Sequence, residues 1–337
     1  MPRAKRRKGL RLPGALALAA AAIALIWLIG GFFWPLDVGP SAQATVRHGS
    51  SLRAAARQLQ AAGVLSAAWR LEWLARLLTA ESRIQAGNYE LSGALSPYAL
   101  LQKITSGDFR QDKLRIVEGW TFAQLRAALD AHPALRHDSR ELADADIAQR
   151  LGIAPALPEG RFFPDTYFFA GGSSDLDVLQ RAHRMLQTQL ANLWAARAAG
   201  LPLDDPEQAL ILASIVEKET GRAEDRALIA AVFLNRLRIG MKLQTDPTVI
   251  YGLGAAFDGN LRRRDLERDG PYNTYTRAGL PPTPIALPGL AALTATLHPA
   301  DSRALYFVGR GDGSSKFSDS LVEHERAVTQ YQRRGRH

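Results

Sequence analysis

The chain has 337 residues, 47% hydrophobic and 22% charged, so it can bury a sizeable core and is not a disordered tail. It contains no cysteine, which excludes disulfides, thiolate catalysis and cysteine-ligated metals. The formal net charge is +9, and Arg3, Lys5, Arg6, Arg7, Lys8 and Arg11 supply six of those charges, leaving +3 for everything after residue 11.

A nucleic-acid arm is one reading of a basic tail. The residues that follow favour a topological one. Residues 12–34 carry no charge and no strongly polar side chain. About 20 such residues cross a ~30 Å hydrocarbon core as a helix. Trp27 and Trp34 stand where an outer-interface anchor is expected. The flanking cations then put residues 1–11 in the cytoplasm as a basic tail and the remainder on the outer side. A cleaved signal peptide competes, because Ala42-Gln43-Ala44 has the small-x-small pattern. The apolar run exceeds the roughly 7–15 residues of a signal, and that site lies far from it. The expectation is an uncleaved single-pass membrane anchor with the N-terminus in the cytoplasm, and no nucleic-acid partner.

Residues 35–43 read as a linker and residues 44–110 as a small α+β module. Ser51 opens one helix, Trp69, Leu71, Trp73 and Leu77 mark a second, and residues 88–91 alternate like a strand. Ser96 and Pro97 have the N-cap and first-turn chemistry of a third helix.

Residues 111–335 form the larger domain. Residues 114–117 are strand-like, and a helix starts at Phe122. The loop 158–167 is rich in proline and aromatics, either a core staple or an exposed platform for stacking sugars. A long helix is expected over 175–199, an apolar one over 207–220 and another over 223–239. Gly221 and Gly240 stop the last two. Asp246 reads as an N-cap with Pro247 at the first turn, and residues 272–276 alternate as a strand. Residues 279–284 make a rigid loop, 305–308 with 316–318 a hairpin, and Ser320 with Glu323 a capping box. The fold class is α+β, with a helical, acid-bearing core and short strands in the larger domain.

Two acids end the apolar helix. Glu217 and Glu219 lie about 200° apart around the axis, so they cannot share a site. Glu219 follows Leu212, Ile215 and Val216, the bulkier stripe, and is expected to be the more buried. Burial and the negative end of the helix both raise a carboxyl pKa, as a general acid requires. The competing reading is a helix-end glutamate paired with Lys218, Arg222 or Arg226. Ser214 and Lys218 are i, i+4 neighbours, but a serine in an apolar helix usually bonds its own backbone, so a nucleophilic pair is disfavoured. Asn235 sits on an apolar face and needs partners there, in a structural network or on a ligand. The seven histidines show no ligand spacing and no phosphate-binding glycine motif appears, so neither a metal nor a cofactor is expected.

Four runs carry a resemblance: ASIVEKET over 213–220, VFLNRLRIGMKLQTDPTVIYG over 232–252, YNTYT over 272–276 and GLPP over 279–282. With Glu118-Gly, Pro164-Asp-Thr and His298-Pro, they resemble the MltG, or YceG-like, family of endolytic murein transglycosylases. The resemblance covers roughly residues 40–332 and is weakest before 110. It implies a LysM-like N-terminal module over 44–110 and a transglycosylase catalytic domain over 111–335, on the outer face of the inner membrane. It also implies peptidoglycan glycan strands as substrate, cell-wall synthases such as penicillin-binding proteins as partners, and a catalytic glutamate at Glu219. Such a lyase needs one acid/base, because the C6 hydroxyl of N-acetylmuramic acid is the nucleophile and a 1,6-anhydro end results. Asn235, Gln244, Thr245, Tyr272, Asn273, Tyr275 and, less directly, Glu217 are expected to hold the sugars or steer Glu219. The alternative is a non-catalytic peptidoglycan-binding scaffold of the cell-wall machinery.

Overall fold

The computed structural model describes residues 18–23, 26, 30, 32–33, 35–37, 42–47, 49–91, 94–107 and 111–333. The basic tail expected over 1–11 lies outside the described residues, as does much of the span expected over 12–34. Among the described residues no helix is long and apolar enough to cross a membrane. The chain divides into two compact units, Met1–Asp112 with Phe169–Ser173, and Lys113–Phe168 with Ser174–His337. Helices and short strands alternate in both, so the chain is a mixed α+β protein.

The first unit runs β1 (Leu36–Asp37), β2 (Ala42–Val46), α1 (Leu52–Ala61), α2 (Ala68–Leu77), β3 (Gly87–Leu91), β4 (Ala94–Leu95) and α3 (Pro97–Ser106). β2 pairs antiparallel with β3, setting Ala44 opposite Tyr89, and β1 pairs with β4. The helix starts follow the sequence chemistry. Ser51 accepts the Ala54 N–H at 3.3 Å and Ser96 the Ala99 N–H at 3.1 Å. α3 stops at Gly107, whose φ of 75° suits a residue without a Cβ. Leu59, Leu71, Tyr89, Leu91, Leu100 and Ile104 share one core. Tyr89 is fully buried and its hydroxyl is satisfied by the Gln85 carbonyl at 2.6 Å. α2 forms where its sequence pattern placed it, but it buries Ala68, Leu71, Leu74 and Ala75, while Trp69, Trp73 and Leu77 face outward.

The second unit contains α4 (Phe122–Asp130), α5 (Asp144–Arg150), α6 (Asp175–Ala195), α7 (Pro206–Glu219), α8 (Ala223–Arg238), α9 (Asp246–Leu253), α10 (Arg263–Glu267), α11 (Leu290–Leu297) and α12 (Leu321–Val328). Strands β5 (Gln111–Arg115) and β6 (Thr166–Ala170) pair, as do β7 (Tyr306–Gly309) and β8 (Ser315–Ser318), the expected hairpin. α7 is the central element. Residues 209–216 of it are buried all round, packed against α8 and α11 with Phe233, Leu234, Ala292 and Leu297. A helix apolar on every face is stable only in such a position. The loop before β6 is a core staple, since Phe162 and Phe163 are buried and Phe162 stacks on Phe122 with centroids 5.3 Å apart.

Three local expectations are corrected. Residues 272–276 form turns and not a strand, because the Asn273 side chain takes over the local hydrogen bonding. Its amide donates to the carbonyls of Asp265, Leu266 and Arg268, and its oxygen accepts the Tyr275 N–H at 2.9 Å. The N-cap of α9 is Thr245, one residue before Asp246. Ser320 caps α12, but Glu323 reaches the Asp319 N–H at 3.4 Å, so the reciprocal half of the capping box is displaced by one residue.

Candidate functional site

α7 ends at Glu219 because Thr220 leaves the helical region, with φ −147° and ψ 136°. Burial of 209–216 fixes the rotation of the helix, and that rotation sends its two terminal acids to opposite sides. Glu219 is partly enclosed, and its Oε1 accepts a hydrogen bond from the Thr245 hydroxyl. Burial is the main influence on its pKa and raises it. The Thr245 hydrogen bond opposes this, the Asp246 carboxylate raises it further, and the Arg236 guanidinium lowers it. The helix C-terminus also disfavours the charged form. None of Lys218, Arg222 and Arg226 provides the hydrogen bond that holds it. Lys218 donates to the Gly119 carbonyl at 3.3 Å and Arg222 lies 3.6 Å from Glu224.

Thr245 is itself held firmly. Its N–H donates to Thr274 Oγ1 at 3.1 Å, and the Thr248 hydroxyl donates to its carbonyl at 2.8 Å. Gln244 precedes it with φ of 50°, in the left-handed region that costs a non-glycine residue about 1 kcal/mol or more. The Gln244 N–H bonds the Thr274 carbonyl at 3.1 Å, which helps to keep the strained backbone in place. Asp246, freed from capping, accepts the Tyr275 hydroxyl at 2.6 Å. Of the predicted residues, the structure therefore gathers Thr245 and Tyr275 around Glu219, while Gln244 is exposed and contributes the backbone turn that leads into Thr245.

The others go elsewhere. Glu217 Oε2 accepts the Gly289 N–H at 2.9 Å. Its pKa is raised first by burial and then by the nearby Glu118 carboxylate, whose side chain fills the space a Cβ on residue 289 would need. Asn235 donates to the Ser302 and Ala304 carbonyls at 2.8 and 3.0 Å and accepts from Arg238, so it ties a loop to α8. Asn273 is spent on the Tyr275 N–H and on the carbonyls at the end of α10. Tyr272 donates to Thr283 Oγ1 at 2.8 Å, since the Thr283 proton is committed to the Pro284 carbonyl at 2.9 Å. The Ser214 hydroxyl donates to the Ile211 carbonyl at 2.7 Å and accepts the Ile285 N–H at 3.0 Å, a structural role. Among the described residues no group of acids and histidines could hold a metal ion.

Two functional candidates escaped the sequence reading. The first is Arg236, on the buried face of α8. Its guanidinium donates to the Leu305 carbonyl at 2.7 Å and the Leu243 carbonyl at 2.7 Å, and lies 5.3 Å from the Tyr306 ring centre. It anchors the segment that delivers Thr245 to Glu219. The second is Glu159. It lines a cleft of about 1060 Å³ together with Phe122, Pro158, Lys218, Ile250, Tyr251 and Tyr272. The Glu159 carboxylate accepts the N–H groups of Phe122 and Gly160 and the Tyr251 hydroxyl, at 3.0, 3.2 and 3.2 Å. Burial outweighs these donors and pushes it up to about 7. The signals available were a cation among apolar neighbours and a glutamate inside a proline-bracketed aromatic loop.

Glu219 does not line this cleft, but Lys218 just before it does, and so does Pro247 just after Asp246. α9 places Asp246 beside Glu219 and turns Pro247, Ile250, Tyr251 and Gly254 into the cleft, at i, i+3, i+4 and i+7 from the first of them. Lys218 enters from the end of α7. A mainly apolar hollow with a few convergent polar groups is what an organic ligand needs.

Comparison with known proteins agrees in kind. An endolytic murein transglycosylase of Bacillus subtilis is 32% identical over 310 residues, covering 85% of this chain and 83% of that protein. An endolytic murein transglycosylase of Streptococcus pneumoniae is 25% identical over 336 residues, and this chain spans 60% of its length. A crystal structure of a YceG-like protein from Listeria monocytogenes superposes with a TM-score of 0.53 at 29% identity, covering 86% of this chain and 99% of that one. The family model described as YceG-like matches residues 44–330, and the chain belongs to that family.

Proposed function

We propose that the chain is a lytic transglycosylase of peptidoglycan, cutting glycan strands internally with Glu219 as general acid and base. The observation that carries this is the pairing of an enclosed, pKa-raised Glu219 with the Thr245 hydroxyl. A carboxyl whose protonated form is favoured by burial can give its proton to the oxygen between N-acetylmuramic acid and N-acetylglucosamine. The C1–O bond breaks. Glu219, now a carboxylate that Thr245 stabilises, takes the proton of the muramic C6 hydroxyl. O6 closes on C1, and a 1,6-anhydro ring forms with no water consumed.

A glycosidase that hydrolyses needs two carboxylates across the bond. Asp246 is the second acid near Glu219, but it is engaged by the Tyr275 hydroxyl, so its part is to raise Glu219 and not to attack. The cleft along α9, with the rings of Tyr251 and Tyr272 in its wall, would hold sugars next to the bond being cut, since Lys218 and Pro247 line it and Glu219 itself does not. The apolar run over 12–34 anchors the enzyme in the inner membrane with its catalytic unit outside, within reach of the synthases that make the strand. The order β2–α1–α2–β3 supports reading the first unit as LysM-like. Mass analysis of the fragments released from purified sacculi tests the proposal. Anhydro ends are expected, and fragments heavier by one water would replace the lyase with a hydrolase.

A further inference from the structure

The outer face of α2 presents large apolar side chains to solvent in the isolated chain. Trp69 is 48% exposed, Trp73 62%, Leu77 77% and the adjoining Leu78 44%. At i, i+4 and i+8, the first three lie in one line along the helix. Single exposed apolar residues are ordinary, but a line of two tryptophans and a leucine, with a second leucine adjoining, marks an interaction surface. Arg70 and Arg76 fall on its two sides, and the Arg70 guanidinium lies 5.7 Å from the Trp69 ring centre.

The chemistry of this face selects its partner. Tryptophan with an indole N–H and an apolar body prefers the zone between lipid headgroups and acyl chains, and flanking arginines reach the phosphates from there. A sugar would stack on the indoles but would leave Leu77 and Leu78 wet. Position in the chain points the same way. Phe32 packs against the core of this same unit, and the Phe33 ring lies 5.6 Å from that of Tyr98 on α3. These two phenylalanines lie just before Trp34, the end of the apolar run that begins near residue 12. α2 packs on α3. The unit is therefore seated at the outer end of the run, with no long tether between them.

We infer that the Trp69–Trp73–Leu77 face of α2 lies on the outer leaflet as a second, interfacial membrane contact, taking lipid headgroups of net negative charge. This rests on the reading of residues 12–34 as a membrane anchor. Docking along a line of side chains would fix the orientation of the first unit relative to the bilayer, which a single spanning helix cannot do.

The test uses the full chain in nanodiscs whose lipids carry brominated acyl chains, which quench nearby indoles. The protein has six tryptophans, and Trp27 and Trp34 belong to the apolar run. If Trp69 and Trp73 are docked, the double variant Trp69→Phe/Trp73→Phe loses quenched emitters and the quenched fraction of its emission falls. If they point into water, the variant loses unquenched emitters and the fraction rises, which overturns the inference. Amide exchange over α2 gives a second readout independent of the variant: slower in nanodiscs with anionic lipid than with neutral lipid is expected, and no difference contradicts the headgroup preference. Alkaline extraction keeps the two failures apart. A chain washed from vesicles defeats the anchor. A chain that stays while the fraction rises defeats only the interfacial contact, and emission changed by soluble glycan fragments instead would assign the face to sugar.

Discussion

The Thr245 hydroxyl donates to Oε1 of Glu219 across 26 residues of sequence, joining the end of α7 to the start of α9. This bond favours the carboxylate, while burial and Asp246 favour the acid. Opposing influences thus act on the two forms that the proposed acid/base residue must visit.

Removing the donor tilts that balance. Thr245→Val deprives the carboxylate of one hydrogen bond to a charged group, on the order of 1.5–3 kcal/mol. The Glu219 pKa should rise further, because the hydrogen bond that favours its charged form is gone. Since the first step needs the protonated form, the basic limb of the pH–rate profile should move upward while the rate at its plateau drops. Thr245→Ser should restore the native limb. An unmoved limb in the valine variant would detach Thr245 from the chemistry.

Asp246→Asn should act in the opposite sense. It removes the negative charge that raises Glu219, so the basic limb should move to lower pH. Tyr275→Phe leaves that charge in place without its hydrogen-bond donor, and its limb should not move downward. A parallel displacement in both variants would mean that packing and not charge is responsible.

Glu159 makes a stability prediction. Its folded-state pKa of about 7 lies above the ordinary 4.5, so the folded form holds a proton that the unfolded chain has released. The associated stability is fully present below about pH 4.5 and is lost as pH rises toward 7. The loss is on the order of 3 kcal/mol. Glu159→Gln has no such titration. The stability of the variant relative to wild type, from urea unfolding, should therefore improve by that order between pH 4.5 and 7.5. A flat difference across this window would show that Glu159 is not held neutral.

Arg236→Met should destabilise the protein by about 2–4 kcal/mol, because it leaves the Leu243 and Leu305 carbonyls without their donor. It should also lower kcat, since the segment carrying Thr245 loses its anchor. Urea unfolding and anhydro-product release measure the two effects separately, and a stable variant with native kcat would contradict the positioning role.

Much of this was legible in the chain because the signals are local. Ser51 and Ser96 cap the helices they were placed beside, and the 306–318 hairpin follows from two alternating runs and a glycine-rich turn. The separation of Glu217 from Glu219 needed only helical geometry. What the sequence hid depends on distant partners. Asp246 has the residue type of an N-cap, yet Tyr275 claims its carboxylate. Asn235 and Asn273 look like ligand contacts, yet backbone carbonyls from other segments saturate their amides. Glu159 acquires its character only where α4 and α9 meet around a cleft.

The central claim is that Glu219 alone cycles a proton to make an anhydro end. Its most direct test is the release of 1,6-anhydro-ended fragments from peptidoglycan by wild type, Glu219→Gln and Glu217→Gln, each verified as folded by circular dichroism. The account predicts that Glu219→Gln releases none and that Glu217→Gln retains activity. An active Glu219→Gln beside a silent Glu217→Gln would contradict it.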